Sequence, residues 1–253
     1  MDVVPDPVVS VLMVTYNHEP YIREAIDSVL AQRTSFAYEL VIGEDCSPDG
    51  TRAIVAEYQA KHPGIVRPLL HDRNIGMHRN FIECIRACRG RYVAMLDGDD
   101  LWLTTGKLAR QVEKLEARPE CAVSFGRVRV FYDDGREPWV YPAGGRTEYT
   151  IDDLLLENPV PTCTAVFRLG LLLELPELMQ EVPFPDWALY LLLARSGDLV
   201  LTPETLAAYR VHSAGVHSRL KPDEVKARYR TFYRLLADWL PEKYAAVLRQ
   251  KVQ

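Results

Sequence analysis

The sequence predicts an α/β protein built on a doubly wound, mostly parallel sheet, and three observations predict it. Apolar runs too continuous for a half-exposed strand alternate with amphipathic helical stretches through the first hundred residues. Turn-forming and acidic residues follow those runs at Thr15-Tyr16-Asn17, Glu44-Asp45 and Asp97-Gly98-Asp99-Asp100, where the carboxyl ends of parallel strands would lie. A length of 253 residues with 48% hydrophobic content suffices for one sizeable core.

Each element has its own justification. "VVSVLMVTY" (8–16) is the first strand, covered on both faces. "EPYIREAIDSVLAQ" (19–32) puts Ile22, Ala25, Ile26, Val29 and Leu30 on one helical face. "YELVIGED" (38–45) is a second strand ending in acids, and "GTRAIVAEYQAKH" (50–62) a second amphipathic helix. A short third strand (66–71) precedes a helix over 80–90 with Gly90 placed to end it, and "RYVAMLD" (91–97) is the fourth strand. Beyond it come a helix over 104–117, an alternating strand over 122–135 that runs into an Asp-Gly turn, and a helix opening at Thr150 with a capping-box pattern. "TCTAVFR" (162–168) predicts a strand, "DWALYLLLARSG" (186–197) a helix, and 201–218 an irregular return carrying two histidines. The tail over 222–251 predicts one helix with an aromatic face. No repeat or linker interrupts the chain, so a single domain is expected.

Composition narrows the function classes. A net charge of -5 gives no footprint for binding a nucleic-acid polymer, although an acidic protein can hold an anionic ligand through a metal. The five cysteines are odd in number and form no CxxC pair, which points to reduced buried thiols. The start "MDVVPDPVVS" lacks the basic and apolar regions of a signal peptide, and the leucine clusters are too short to span a bilayer. A cytoplasmic protein without a transmembrane anchor is expected.

The most informative stretch is "LDGDDLW" at 96–102, three carboxylates in four positions after a buried strand. Like charges this close repel, so the arrangement suits a partner of opposite sign. Hard dications such as Mg²⁺ and Mn²⁺ prefer carboxylate oxygens, with water and phosphate completing the shell. An acidic turn without a ligand produces the same short motif.

The chain resembles a family-2 inverting glycosyltransferase of bacterial type, with the GT-A nucleotide-sugar fold. The residues that carry the resemblance are "VTYNHEPYIREAIDSVLAQ", "ELVIGEDCSPDGT" and "NIGMHRNFIECIRACRGRYVAMLDGDDLW", then "KLARQVEKL", "PTCTAVFR", "PDWALYLLLARSG" and "YRVHSAGVHS". They run in order over about residues 8–218. The resemblance implies a nucleotide-sugar-binding half (8–103), an acceptor and catalytic half (104–218) and a C-terminal helical tail (219–253).

It also implies roles for particular residues. Thr15, Tyr16 and Asn17 would line the nucleotide, with the Tyr16 ring on the uracil and Asp45 accepting a hydrogen bond from the base. Arg73, Asn74 and Arg79 would sit beside the diphosphate. Asp97 and Asp99, with Gly98 between them, form the DxD pair: Asp97 near the ribose, Asp99 on Mn²⁺ or Mg²⁺, and Asp100 as a second ligand or orienting group. His212 would complete the metal shell, with His217 and Ser218 near the diphosphate. Asp186 would be the general base for inversion, taking the acceptor hydroxyl's proton; an aspartate opening a helix is also an ordinary N-cap. The partners implied are a UDP-sugar donor and a hydroxyl-bearing acceptor (a glycan precursor, or a small natural product or nucleoside), with a homodimer possible. A non-catalytic nucleotide-sugar-binding protein and a sugar-phosphate nucleotidyltransferase are the alternatives. The first would have no need of Asp186, and the second normally has a glycine-rich, arginine-containing loop where this chain has "TYNHEP".

Overall fold

The computed structural model describes residues 6–172, 174–215 and 220–252. Along them run β1 (Val9–Thr15), α1 (Ile22–Leu30), β2 (Tyr38–Glu44), α2 (Thr51–Lys61), β3 (Val66–Leu70), α3 (Met77–Ala87), β4 (Tyr92–Met95) and β5 (Leu101–Trp102). There follow α4 (Lys107–Ala117), β6 (Cys121–Tyr132), β7 (Trp139–Tyr141), β8 (Glu148–Tyr149), α5 (Ile151–Leu156) and β9 (Val166–Arg168). The remaining elements are α6 (Pro185–Leu193), β10 (Asp198–Val211), α7 (Pro222–Trp239) and α8 (Glu242–Val252).

The strands form one sheet whose main path is β3-β2-β1-β4-β9-β6-β10-β5, with β7 on β6 and β8 on β10. β3, β2, β1 and β4 are mutually parallel, as their continuous apolar runs predict. Helices cover both faces. Val9, Val11 and Met13 of β1 join a core with α1, α2 and α4, while Leu12 points to a core with α3, α5, α6, α7 and α8. β9 is antiparallel to both β4 and β6, and β10 is parallel to β6. The two reversals cancel, so β10 runs in the direction of β4 and ends at the same edge of the sheet.

The structure revises four expectations. Residues 162–168 are not one strand: Thr162–Thr164 form a 3-10 turn before β9, because the Thr164 N–H and hydroxyl both donate to the Pro161 carbonyl, at 2.9 and 2.8 Å. The return after 198 is a long strand rather than irregular. Its register against β6 slips around Thr202–Thr205, where Pro203 has no N–H to give, and that break hides the strand in the sequence. The tail is two helices, divided at Leu240-Pro241 for the same reason. Gly90 lies beyond the end of α3, at Ala87; a Cβ there would come within 2.4 Å of the Ser10 amide, so glycine allows the chain to pass close against β1. The capping box before α5 is present, with the Thr150 N–H donating to Asp153 at 2.8 Å.

Candidate active site

The carboxyl ends of β1, β2, β4 and β10 meet along one edge. The turn after β1 is held by the turn after β2: the amides of Asn17, His18 and Glu19 donate to Ser47 Oγ, Thr51 Oγ1 and Asp49 Oδ2, at 3.1, 2.9 and 3.1 Å. Asn17 takes the left-handed conformation (φ 58°) that Asn tolerates better than most residues. Thr15 is buried, and Tyr16 stands 42% exposed at the mouth. Asp45 is buried, and its two oxygens accept the amides of Ile75 and Gly76 at 2.7 and 2.9 Å. It therefore ties the segment carrying Arg73 and Asn74 to the end of β2 and does not cap α2, whose N-cap is Gly50. Asn74 accepts the Gly76 amide as well, and Arg73 and Arg79 are exposed.

The acidic segment follows β4. A Cβ on Gly98 would lie 2.7 Å from Thr15 Oγ1 and 2.9 Å from His18 Nδ1, so only glycine lets this loop lie against the first turn. Asp99 Oδ2 faces His212 Nε2 at 3.0 Å and His18 Nε2 at 3.5 Å. Burial opposes ionisation of Asp99, but the His212 hydrogen bond and the charge of His18 hold its carboxyl below the usual value. Asp97 goes the other way: burial, then the negative charges of Asp99 and Asp186, push it up to about 8. Asp100 turns inward, accepting the Arg210 amide at 2.9 Å and the Cys163 thiol. Burial and its two acidic neighbours raise it as well.

Arg210 secures this cluster. Its Nε donates to the Asp99 carbonyl at 3.1 Å, and its guanidinium pairs with Glu24 of α1 at 2.6 Å and with Asp133 beyond β6 at 3.3 Å. It also lies over the Tyr21 ring, 4.8 Å from the centroid, while that ring is 4.6 Å from His212.

Asp186 is the second residue of α6. Phe184 is the N-cap and Pro185 occupies the first helical position, where its fixed φ and missing N–H cost nothing. The Asp186 side chain makes no cap bond; its Oδ2 accepts the Thr162 hydroxyl at 2.7 Å. Trp187 packs inward, with Nε1 donating to the Leu154 carbonyl at 2.8 Å.

Thus Asp97, Asp99, Asp100, Asp186 and His212 gather at one edge with Thr15 and Gly98, while Tyr16, Asn17, Asp45, Arg73, Asn74 and Arg79 lie along its β1–β2 side. His217 and Ser218 fall outside the described residues. The sequence reading missed His18, Tyr21, Thr162 and Arg210. His18 and Tyr21 could have been sought in the turn after β1, and Arg210 two residues before His212; nothing in "PTCTAVFR" singles out Thr162. Among the described residues, no group of three or more His, Cys, Asp or Glu side chains is set to hold a metal ion by itself. The donor set still fits a hard dication. One carboxylate oxygen faces an imidazole nitrogen, with Asp97 and Asp100 crowded on the same segment.

Comparison with known proteins gives the family. Residues 10–172 match the model for Glycosyl transferase family 2. An uncharacterized Mycobacterium tuberculosis protein is 39% identical over 208 residues, covering 82% of this chain and 60% of that one, so the chain spans about 60% of the length of such relatives. A Bacillus subtilis protein assigned to teichuronic acid biosynthesis as glycosyltransferase TuaG is 31% identical over 232 residues, covering 90% and 86% of the two chains. Among solved structures, S. aureus TarS 1–349 in complex with UDP-GlcNAc superposes with a TM-score of 0.72 at 19% identity, covering 96% of this chain and 71% of that one. The mannosyltransferase PcManGT from Pyrobaculum calidifontis, in complex with GDP-Man and Mn²⁺, gives 0.66 at 20% identity, covering 98% and 70%. Sheet order, acid-lined edge and family match lead to one assignment: the chain is a GT-A member of glycosyl transferase family 2.

Proposed function

We propose that this protein is a metal-dependent, inverting glycosyltransferase that moves a hexosyl or N-acetylhexosaminyl group from a UDP-sugar to an acceptor hydroxyl. The observation that carries the reading is Asp186, held by Thr162 and close enough to Asp97 to raise it, beside the Asp99–His212 pair. A solved neighbour with UDP-GlcNAc and another with GDP-Man and Mn²⁺ support it. In this reading residues 8–103 bind the donor and 104–218 present the acceptor, a glycan precursor or a small natural product.

Each residue has work that its chemistry suits. The exposed Tyr16 ring stacks on the base, and Asp45 keeps unused lone pairs for a base N–H beside its two backbone bonds. Arg73 and Arg79 face the diphosphate charge. Asp99 and His212, with Asp97, would hold Mn²⁺ or Mg²⁺, and Asp100 orients the segment from below. When bound, the ion neutralises charge on the departing diphosphate. Asp186 takes the acceptor proton as the acceptor oxygen attacks the anomeric carbon from the face opposite the leaving group.

The test is Asp186→Asn, which keeps size and removes basicity. Turnover should fall about a hundredfold or more, with UDP affinity and melting temperature unchanged, and wild-type product should show inverted configuration by NMR. Near wild-type turnover in the variant, or a retained anomer, would remove Asp186 from the mechanism.

A further inference from the structure

We propose that Thr162 is a positioning residue for Asp186, fixing one carboxylate oxygen so that the other is presented to the acceptor hydroxyl; this rests on Asp186 being the base. Thr162 Oγ1 donates to Asp186 Oδ2 at 2.7 Å.

The turn that carries Thr162 is rigid and is fastened from its other side. Its closing bonds from Thr164 to Pro161 fix the backbone. Its Cys163 carbonyl accepts Trp102 Nε1 at 2.8 Å, the Cys163 thiol bonds Asp100, and the Thr164 carbonyl accepts Gln111 Nε2 at 2.9 Å. One three-residue turn therefore grips Asp186 with residue 162 and the acidic segment with residue 163. α6 is braced from behind by the Trp187 bond to the Leu154 carbonyl and by α7, and Thr162 ties its second residue to this turn.

The spacing matters because base and leaving-group side act on one carbon at once. The acceptor O–H proton passes to Asp186, the oxygen bonds to the anomeric carbon, and the bond from that carbon to the diphosphate oxygen breaks, its electron pair leaving with UDP. A carboxylate free to rotate adopts the productive angle less often, and small misplacements cost one or two orders of magnitude.

The test uses water as acceptor, with UDP-GlcNAc and UDP-glucose as donors, in Thr162→Val, Thr162→Ser, Asp186→Asn and the Thr162→Val/Asp186→Asn double variant. Val matches the shape of Thr, so folding is preserved, as melting temperature will record. Thr162→Val should lower kcat about tenfold at unchanged donor KM, and Ser should restore most of it. In the Asp186→Asn background Val should cost nothing further, because the two act as one unit. Wild-type kcat in the Val variant, an equal loss in the Asn background, or no rescue by Ser overturns the inference. If Asp186→Asn is itself fully active, or neither donor is hydrolysed by the wild type, the underlying reading falls and takes this one with it. A slow Asp186→Asn beside a fast Thr162→Val removes Thr162 alone.

Discussion

The Asp99 carboxylate faces two imidazoles through the same oxygen, one from the turn after β1 and one just past the end of β10. Loss of that carboxylate should abolish the metal-dependent part of UDP binding. Calorimetry on Asp99→Ala should show sharply weakened UDP affinity with Mn²⁺ present, and wild type in excess chelator should behave like the variant. Equal affinity with and without chelator would exclude a metal bridge. Asp97 makes a second, electrostatic prediction. Its folded value is raised to about 8 from an ordinary 3.8, so the folded state retains a proton that the unfolded chain gives up. That contribution is fully present below the unfolded value and is lost as pH rises through the folded one. Metal-free protein should therefore lose stability from pH 5 to 8, by at most about 1.4 kcal/mol per pH unit from this group. Asp97→Asn should flatten the slope in denaturation series; an unchanged slope would mean the charge is relieved elsewhere. The DxD acids stood out because they follow a buried strand, whereas Asp186 was singled out only through the family resemblance, since an aspartate opening a helix is also an ordinary N-cap. Thr162 was not, because a threonine's importance here comes from what the fold sets beside it.

At the scale of elements, the parallel half was readable because β1, β2 and β4 are buried on both faces and so are largely apolar. The second half was harder to read for a physical reason: β5, β7, β8 and β9 are two or three residues long, and β10 is interrupted at Pro203, so no periodicity accumulates. The tail's aromatic face was visible at helical spacing, but its destination was not. The structure shows Phe232 fully buried, with ring centroids 4.7 Å from Trp187 and 5.4 Å from Phe184. α7 thus supports the start of α6, the helix that presents Asp186. Phe232→Ala should cost about 3–5 kcal/mol in chemical denaturation. Truncation at 220 should give an aggregating protein, since it would uncover Trp187 and the neighbouring core. A soluble truncated chain with native melting behaviour would show that α6 stands without α7.

Across the whole molecule, residues far apart in the chain share the site: His18, Asp45, Asp99, Asp186 and His212. No helix among the described residues is long and apolar enough to cross a membrane. The bond from Arg210 to Glu24 joins positions 186 residues apart. It closes only when β10 has threaded beside β6 and brought its end against α1. That closure has a kinetic meaning. Contacts of such long separation carry a large entropic cost and form late, so the four parallel strands can pair before any donor site exists. The site should therefore be largely absent from the folding transition state. A ligand bound there should slow unfolding and leave refolding nearly unchanged. In stopped-flow chevrons with UDP and Mn²⁺ the unfolding arm alone should drop; a faster refolding arm would place the closure early. In a cell the same asymmetry would make donor supply a determinant of how long each folded copy survives, since an empty site would open at the rate of its last-formed strand.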